Sequence, residues 1–184
     1  MPLARTAATL DDLARVEGKA ELVSGRIVHA LPTGFRPGRV AARIFRSLDD
    51  FAEATGRGVA LPDNVGFAVP ELSSGRESFS PDAAYYLGPL PSNPMRFLQG
   101  PPTFAVEVRS ENDFGPAEAG MAAKRADYFE AGTLVVWDVD PIGGMVRKYR
   151  TDDAARPIEF VPDQEADAEP AVPGWRLAVE RIFA

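Results

Sequence analysis

PTFAVEVRSEND, residues 102–113, carries an acid in the middle of an otherwise apolar run. Phe104, Ala105, Val106 and Val108 have the composition of a buried β-strand, and Glu107 interrupts them. Taking an unpaired carboxylate out of water costs far more than one strand supplies. Glu107 therefore needs a metal ion or a basic side chain beside it, or an edge position that returns it to solvent. Side chains of a strand alternate between faces, so Phe104, Val106 and Val108 share one side while Ala105, Glu107 and Arg109 share the other. One face belongs to a core, and the other is free to carry a site.

Working outward, strand and helix signals alternate. TLDDLARVEG (9–18) offers Thr9 as an N-cap for a short amphipathic helix ending at Gly18, and AELVSGRIVHA (20–30) has two β-rich arms about Ser24 and Gly25, the pattern of a tight hairpin. GRVAARIFRSLDDFAEATG (38–56) spaces Val40, Ile44, Leu48 and Phe51 along one helical face and stops at Gly56. Strand-like pieces follow at GVAL, VGFAV, DAAYYL and TFAVEV, with GPLPSNPMRFLQGPP (88–102) as the longest irregular link. GPAEAGMAAKRADYFEAG (115–132) predicts a second helix, with a proline near its first turn and a glycine at its end. TLVVWDVD (133–140) reads as an interior strand, followed by the PIGG turn and MVRKYR. DQEADAEP (163–170) reads as a solvated acidic loop, and GWRLAVERIF (174–183) as a strand passing into a short helix. The alternation predicts an α/β fold, a two-layer or three-layer sandwich around a mixed sheet. With 184 residues and 45% hydrophobic content, the chain is expected to form a single domain over residues 1–184.

Composition limits the chemistry. The formal charge of −7 gives no global basic field to draw the chain onto nucleic acid or anionic membrane, so any polyanion site is local. There is no cysteine and one histidine, His29, which removes disulfides, thiolate metal sites and His-rich zinc centres and leaves hard cations with oxygen ligands. No stretch approaches the roughly 20 apolar residues of a membrane span, and a cytoplasmic, soluble protein is expected, with no membrane partner.

Within that inventory, SPDAAYYL (80–87) sets Asp82 directly after a proline at the start of a strand. Two carboxylates on neighbouring strands, Asp82 and Glu107, suit Mg²⁺, which takes a few carboxylates and fills its octahedral shell with waters and phosphates. Each acid also has an ordinary reading, Asp82 in a turn and Glu107 at a sheet edge or against an arginine. On the second helix Met121, Lys124 and Tyr128 share a face, with Lys124 at the edge of the apolar stripe and Arg125 nearer its centre. Either cation could turn inward. Asp138 and Asp140 could join a metal site but are more ordinary as strand-end and turn acids. Neither GPAEAG nor PIGG has the spacing of a phosphate-cradling loop, and Ser110 lacks the partners of a serine hydrolase.

ELVSGRIV, SPDAAYYL, GPPTFAVEVRSEND, KRADYFEAGTLVVWDVD and PGWRLAVERIF follow the order and approximate spacing of the Uma-two family of "putative restriction endonucleases", a branch of the PD-(D/E)XK nuclease superfamily, which the chain resembles over nearly its whole length. The resemblance implies a restriction-endonuclease-like mixed sheet flanked by helices. It implies that Asp82 and Glu107 are metal ligands, that Lys124 is the catalytic lysine, and that Glu21 is a further acid at the site. It also implies Mg²⁺ or Mn²⁺ as cofactor, DNA as substrate, and a homodimer, since duplex cleavage takes two centres. Where the superfamily carries a strand lysine this chain has Arg109, which can clamp phosphate but is a poor proton shuttle. Where the family tends to have a histidine opening the long helix, the sequence reads FRPGRV, with Pro37 or Gly38 in its place. Arg36, Arg39, Arg43 and Arg46 on that helix are candidate phosphate contacts or a solvated face. A catalytically silent nuclease fold kept as a binding or regulatory module is the alternative. With no metal bound, crowding of the acids should raise at least one of their pKa values.

Overall fold

The computed structural model describes residues 7–184. In chain order the elements are α1 (Leu10–Leu13), β1 (Ala20–Val23), β2 (Arg26–His29), α2 (Phe35–Thr55), β3 (Val59–Pro62), β4 (Phe67–Ala68), β5 (Ser78–Phe79), β6 (Ala83–Tyr86), β7 (Leu98–Gln99) and β8 (Phe104–Val108). There follow α3 (Glu118–Ala131), β9 (Val135–Asp140), β10 (Met145–Arg150), β11 (Asp153–Phe160), β12 (Glu165–Asp167), β13 (Arg176–Ala178) and α4 (Val179–Phe183).

A six-stranded mixed sheet in the order β11-β10-β9-β8-β6-β3 forms the centre. Its one parallel pair, β8 with β9, is joined by α3, as a parallel connection requires. The alternation expected along β8 separates two cores. Phe104, Val106 and Val108 pack with Val40, Ile44 and Leu48 of α2, while Ala105 packs with Val136 and with Tyr128 of α3. The sheet is therefore covered on both faces, giving the three-layer form of the sandwich. In the α2-side core Trp137 lies 5.0 Å from Trp175 and 5.3 Å from Phe104. Helices α2 and α3 both end on left-handed glycines, Gly56 (φ 62°) and Gly132 (φ 110°), as their sequences require.

The structure departs from the sequence-based reading in three places. Helix α1 is one turn long, held by a reciprocal capping box between Thr9 and Asp12. The acidic stretch 163–170 is not a solvated loop. It supplies β12, paired with β13, and buries Ala166 and Ala168 in the α2-side core. The strand β11 lies at the sheet edge, where Pro157 costs no ladder bond inside the sheet.

Candidate active-site cleft

The register of β6 against β8 pairs Ala83 with Val106 and Ala84 with Ala105, and one step further it brings Asp82 opposite Glu107. The Asp82 N–H still donates to the Val106 carbonyl (2.9 Å), so the acid is fixed by backbone pairing immediately after Pro81. Asp82 Oδ2 accepts from the Val108 N–H at 2.7 Å. Both acids line a cleft of about 630 Å³ between the β1-β2 hairpin, the ends of β6 and β8, and α3.

Lys124 enters this cleft from α3. Its Nζ lies 2.8 Å from Glu107 Oε1 and 3.0 Å from Glu21 Oε1. One turn on, the Tyr128 hydroxyl donates to the same Glu107 oxygen at 2.6 Å, with its ring stacked on Phe79. Glu21 comes from β1; its Oε1 also accepts from the Ser80 N–H, and its Oε2 is taken by Arg76. Arg76 in turn donates from Nε to Asp127 of α3 at 2.8 Å. The hairpin that carries Glu21 turns through Ser24 and Gly25, both at positive φ, and docks through the Leu22 N–H on Ser78 Oγ.

Burial pushes the Glu107 carboxyl above the usual range, with Asp82 and Glu21 adding to the effect against the pull of Lys124 and Lys19. This is the upward shift expected of crowded acids, though desolvation is its leading cause. Burial also acts to raise Glu21, but Lys124 and Arg76 outweigh it and hold Glu21 below its ordinary value. Burial alone would lower Lys124, yet Glu107 and Glu21 hold its ammonium well above the ordinary lysine range, so it stays protonated at neutral pH. Tyr128 is raised far above a free phenol by burial and by the two nearby glutamates, and remains a donor.

Asp82, Glu107, Lys124 and Glu21 are brought together; Arg109 is not. Its guanidinium takes Asp138 in a two-pronged grip (Nε to Oδ1 2.6 Å, Nη2 to Oδ2 2.7 Å), binds Glu118, and is 4% exposed. It is a buried structural cation, with no group free to clamp phosphate. Asp138 also receives Arg125 Nη1 at 2.9 Å, so both helix cations turn inward, Lys124 to Glu107 and Glu21 and Arg125 to Asp138. Asp138 thus lies inside its strand rather than at a turn, with both oxygens taken by arginines. Asp140 does end its strand and accepts from the Ile142 and Gly143 N–H groups. Of the α2 arginines, Arg36, Arg39 and Arg46 are exposed and Arg43 is half-buried, donating to the Ile182 carbonyl.

Two cleft residues were not singled out in the sequence. Lys19, directly before β1, places Nζ 2.6 Å from Asp82 Oδ1 and 2.7 Å from Asp63 Oδ1. Burial opposes its charge, but Asp82 and Glu107 raise its pKa on balance. In EGKAELV nothing distinguishes this lysine from a solvated turn charge. Asp63 sits just past β3, and only the sheet register brings it to Asp82.

No curated protein matches the chain. A solved structure described as a "putative nuclease belonging to DUF820" from Anabaena variabilis superposes with a TM-score of 0.74 at 18% identity, over 95% of this chain and 97% of that one, which establishes the shared fold. The profile of the family described as "Putative restriction endonuclease" matches residues 7–180. With the order of motifs and the six-stranded nuclease-like sheet in agreement, the chain belongs to the Uma2 family.

Proposed function

We propose that this chain is a metal-dependent endonuclease that hydrolyses phosphodiester bonds of DNA. In this reading Asp82 and Glu107 hold Mg²⁺ or Mn²⁺ and Lys124 acts beside them as the catalytic lysine. The observation that carries it is the facing of Asp82 and Glu107 across β6 and β8, with Lys124 bound to Glu107 in one cleft.

The donor set fits such an ion. Glu107 engages Lys124 and Tyr128 through Oε1, and among the described residues no hydrogen bond reaches its Oε2. Among the described residues no group of three or more His, Cys, Asp and Glu side chains converges as a complete protein cage would require. Two carboxylates suit an ion that completes its shell from water and substrate phosphate. When bound, the ion supplies a Lewis acid for the phosphate and makes water nucleophilic at neutral pH.

The chain's own residues do the rest. Tyr128 and Lys124 fix the Glu107 rotamer through one oxygen. Lys124, held protonated, is a donor and a positive charge for the developing phosphorane-like oxygens rather than a base. Glu21, itself held by Arg76, holds Lys124 from behind. Glu17, Asp63 and Asp113 add negative charge to the cleft wall, which repels a phosphate backbone until a cation offsets it. Arg36, Arg39 and Arg46 offer backbone contacts from α2. A catalytically silent module would tolerate Lys124 turned away from the acids, and its pairing with Glu107 supports the active reading. We read the working species as a homodimer formed by one nuclease-like domain per chain, checked by light scattering with a DNA duplex.

The test is calorimetric titration of Mg²⁺ or Mn²⁺ into wild type and Glu107→Ala, with plasmid cleavage followed in the same samples. Binding and cleavage present in wild type and absent in the variant support the proposal. Equal weak binding with no cleavage in either would replace it with the silent module.

A further inference from the structure

Lys19 lies inside the cleft and has no part in the reading above. Its position is set by the hairpin, which is tied to the body through the Leu22 N–H on Ser78 Oγ, the Glu77 N–H on the Leu22 carbonyl, and a bridge between Val23 and Arg76. The ammonium sits between two acids of different setting. Asp82 is 19% exposed and holds its second oxygen on the Val108 N–H, whereas Asp63 is 46% exposed at the end of β3. A divalent cation on Asp82 would meet the ammonium 2.6 Å from Oδ1, and like charges that close repel strongly in a partly buried site. Asp63, on the other side of Nζ, is a second carboxylate within reach without any backbone movement.

We infer that Lys19 is a resident counter-ion of Asp82 that the divalent cation displaces, and that Asp63 is the acceptor onto which the ammonium retreats. The inference rests on Asp82 being a metal ligand in the proposed nuclease. Lys19 is then a positioning residue. It keeps Asp82 and Glu107 from repelling each other in the metal-free protein, and it sets the threshold of metal concentration at which the site loads. Asp63 lowers that threshold by giving the lysine somewhere to go.

The experiment is Mn²⁺ titration by calorimetry on the full chain, comparing wild type, Lys19→Met, Asp63→Asn, the double variant and Glu107→Ala, with far-UV circular dichroism on each. Removing the competitor in Lys19→Met should tighten Mn²⁺ on the order of tenfold. Asp63→Asn should weaken it several-fold, and this loss should vanish in the double variant, because without Lys19 there is nothing to retreat. An affinity of Lys19→Met equal to or weaker than wild type overturns the inference. So does an Asp63→Asn loss of the same size in both backgrounds, which would mark Asp63 as a general source of negative potential. If Lys19→Met does not fold, Lys19→Gln carries the same expectation. Wild type and Glu107→Ala titrating alike would reject the metal site itself, and with it the role of Lys19; that failure is distinct from a Lys19 result in a chain whose Glu107 dependence holds.

Discussion

Two ionic clusters stand side by side on the same strand and helix, and they differ in how completely their acids are matched. In one, Arg109 and Arg125 face Asp138 and Glu118, with every oxygen of Asp138 bound and the Arg125 guanidinium lying 4.2 Å over the Tyr149 ring. In the other, Lys19, Lys124 and Arg76 face Asp63, Asp82, Glu107, Glu21 and Asp127. Glu107 and Arg109 are two residues apart on β8; Lys124 and Arg125 are consecutive on α3. The balanced cluster is closed and bidentate, a geometry that guanidinium favours and ammonium cannot reproduce. The unbalanced one opens to a cleft with an excess of carboxylate. Saturation of the acids, rather than their burial, separates a structural lock from a candidate site.

The sharpest way to break this contrast is to exchange the consequences. Glu107→Ala should abolish metal-dependent plasmid cleavage by about 10³-fold or more while leaving the circular dichroism spectrum intact. Asp138→Ala should do the reverse. It takes the shared acid from the buried Arg109 and the partly buried Arg125 and should cost about 3–5 kcal/mol in urea denaturation, with Mn²⁺ affinity unchanged in whatever protein remains folded. A cleavage loss in Asp138→Ala beyond its unfolded fraction would erase the division of labour.

Arg109→Lys restores the residue type found in the superfamily strand pattern. Because the site face is already supplied by Lys124, it should gain no cleavage and should lose about 1–3 kcal/mol through the broken fork on Asp138 and Glu118. A gain in cleavage would place position 109 back in the site. The smallest expected effect is on pH. The folded Glu107 carboxyl is raised, so it must lose its proton at a higher pH than a free glutamate before it can serve as a ligand. Mn²⁺ affinity should therefore fall on acidification from above the ordinary carboxylate value of about 4.3. The folding contribution has the opposite sense: a raised folded pKa stabilises the protein below the unfolded pKa, and that stability is lost as pH rises through the folded one. In Lys124→Met, where the attraction lowering Glu107 is gone, the acidic limb of metal binding should move to still higher pH.

Much of this was legible in the sequence because it follows local rules. Alternation along residues 104–108 separated the two faces, glycines 56 and 132 fixed helix ends, and the spacing of Lys124 and Tyr128 put both on one helix face. What stayed hidden depended on register. Lys19 and Asp63 come from opposite sides of a long helix in sequence and meet only because β3 pairs with β6 while the β1-β2 hairpin docks on residues 76–78. The stretch around Ala166 and Ala168 read as solvent-exposed because its buried residues are the smallest apolar ones, set among acids that outweigh them in any hydropathy window. Strand β11 was missed for a related reason, since Pro157 and its mixed composition suit only an edge.

The packing of Trp137 on Trp175 has an optical consequence. These are the chain's two tryptophans, and both lie on the α2 side of the sheet, whereas Glu107 points to the α3 side. At 5.0 Å the indoles form a coupled chromophore whose near-ultraviolet signal and emission follow the integrity of that core. Metal loading across the sheet should leave them dark to the event, so the same cuvette can report unfolding without interference from binding.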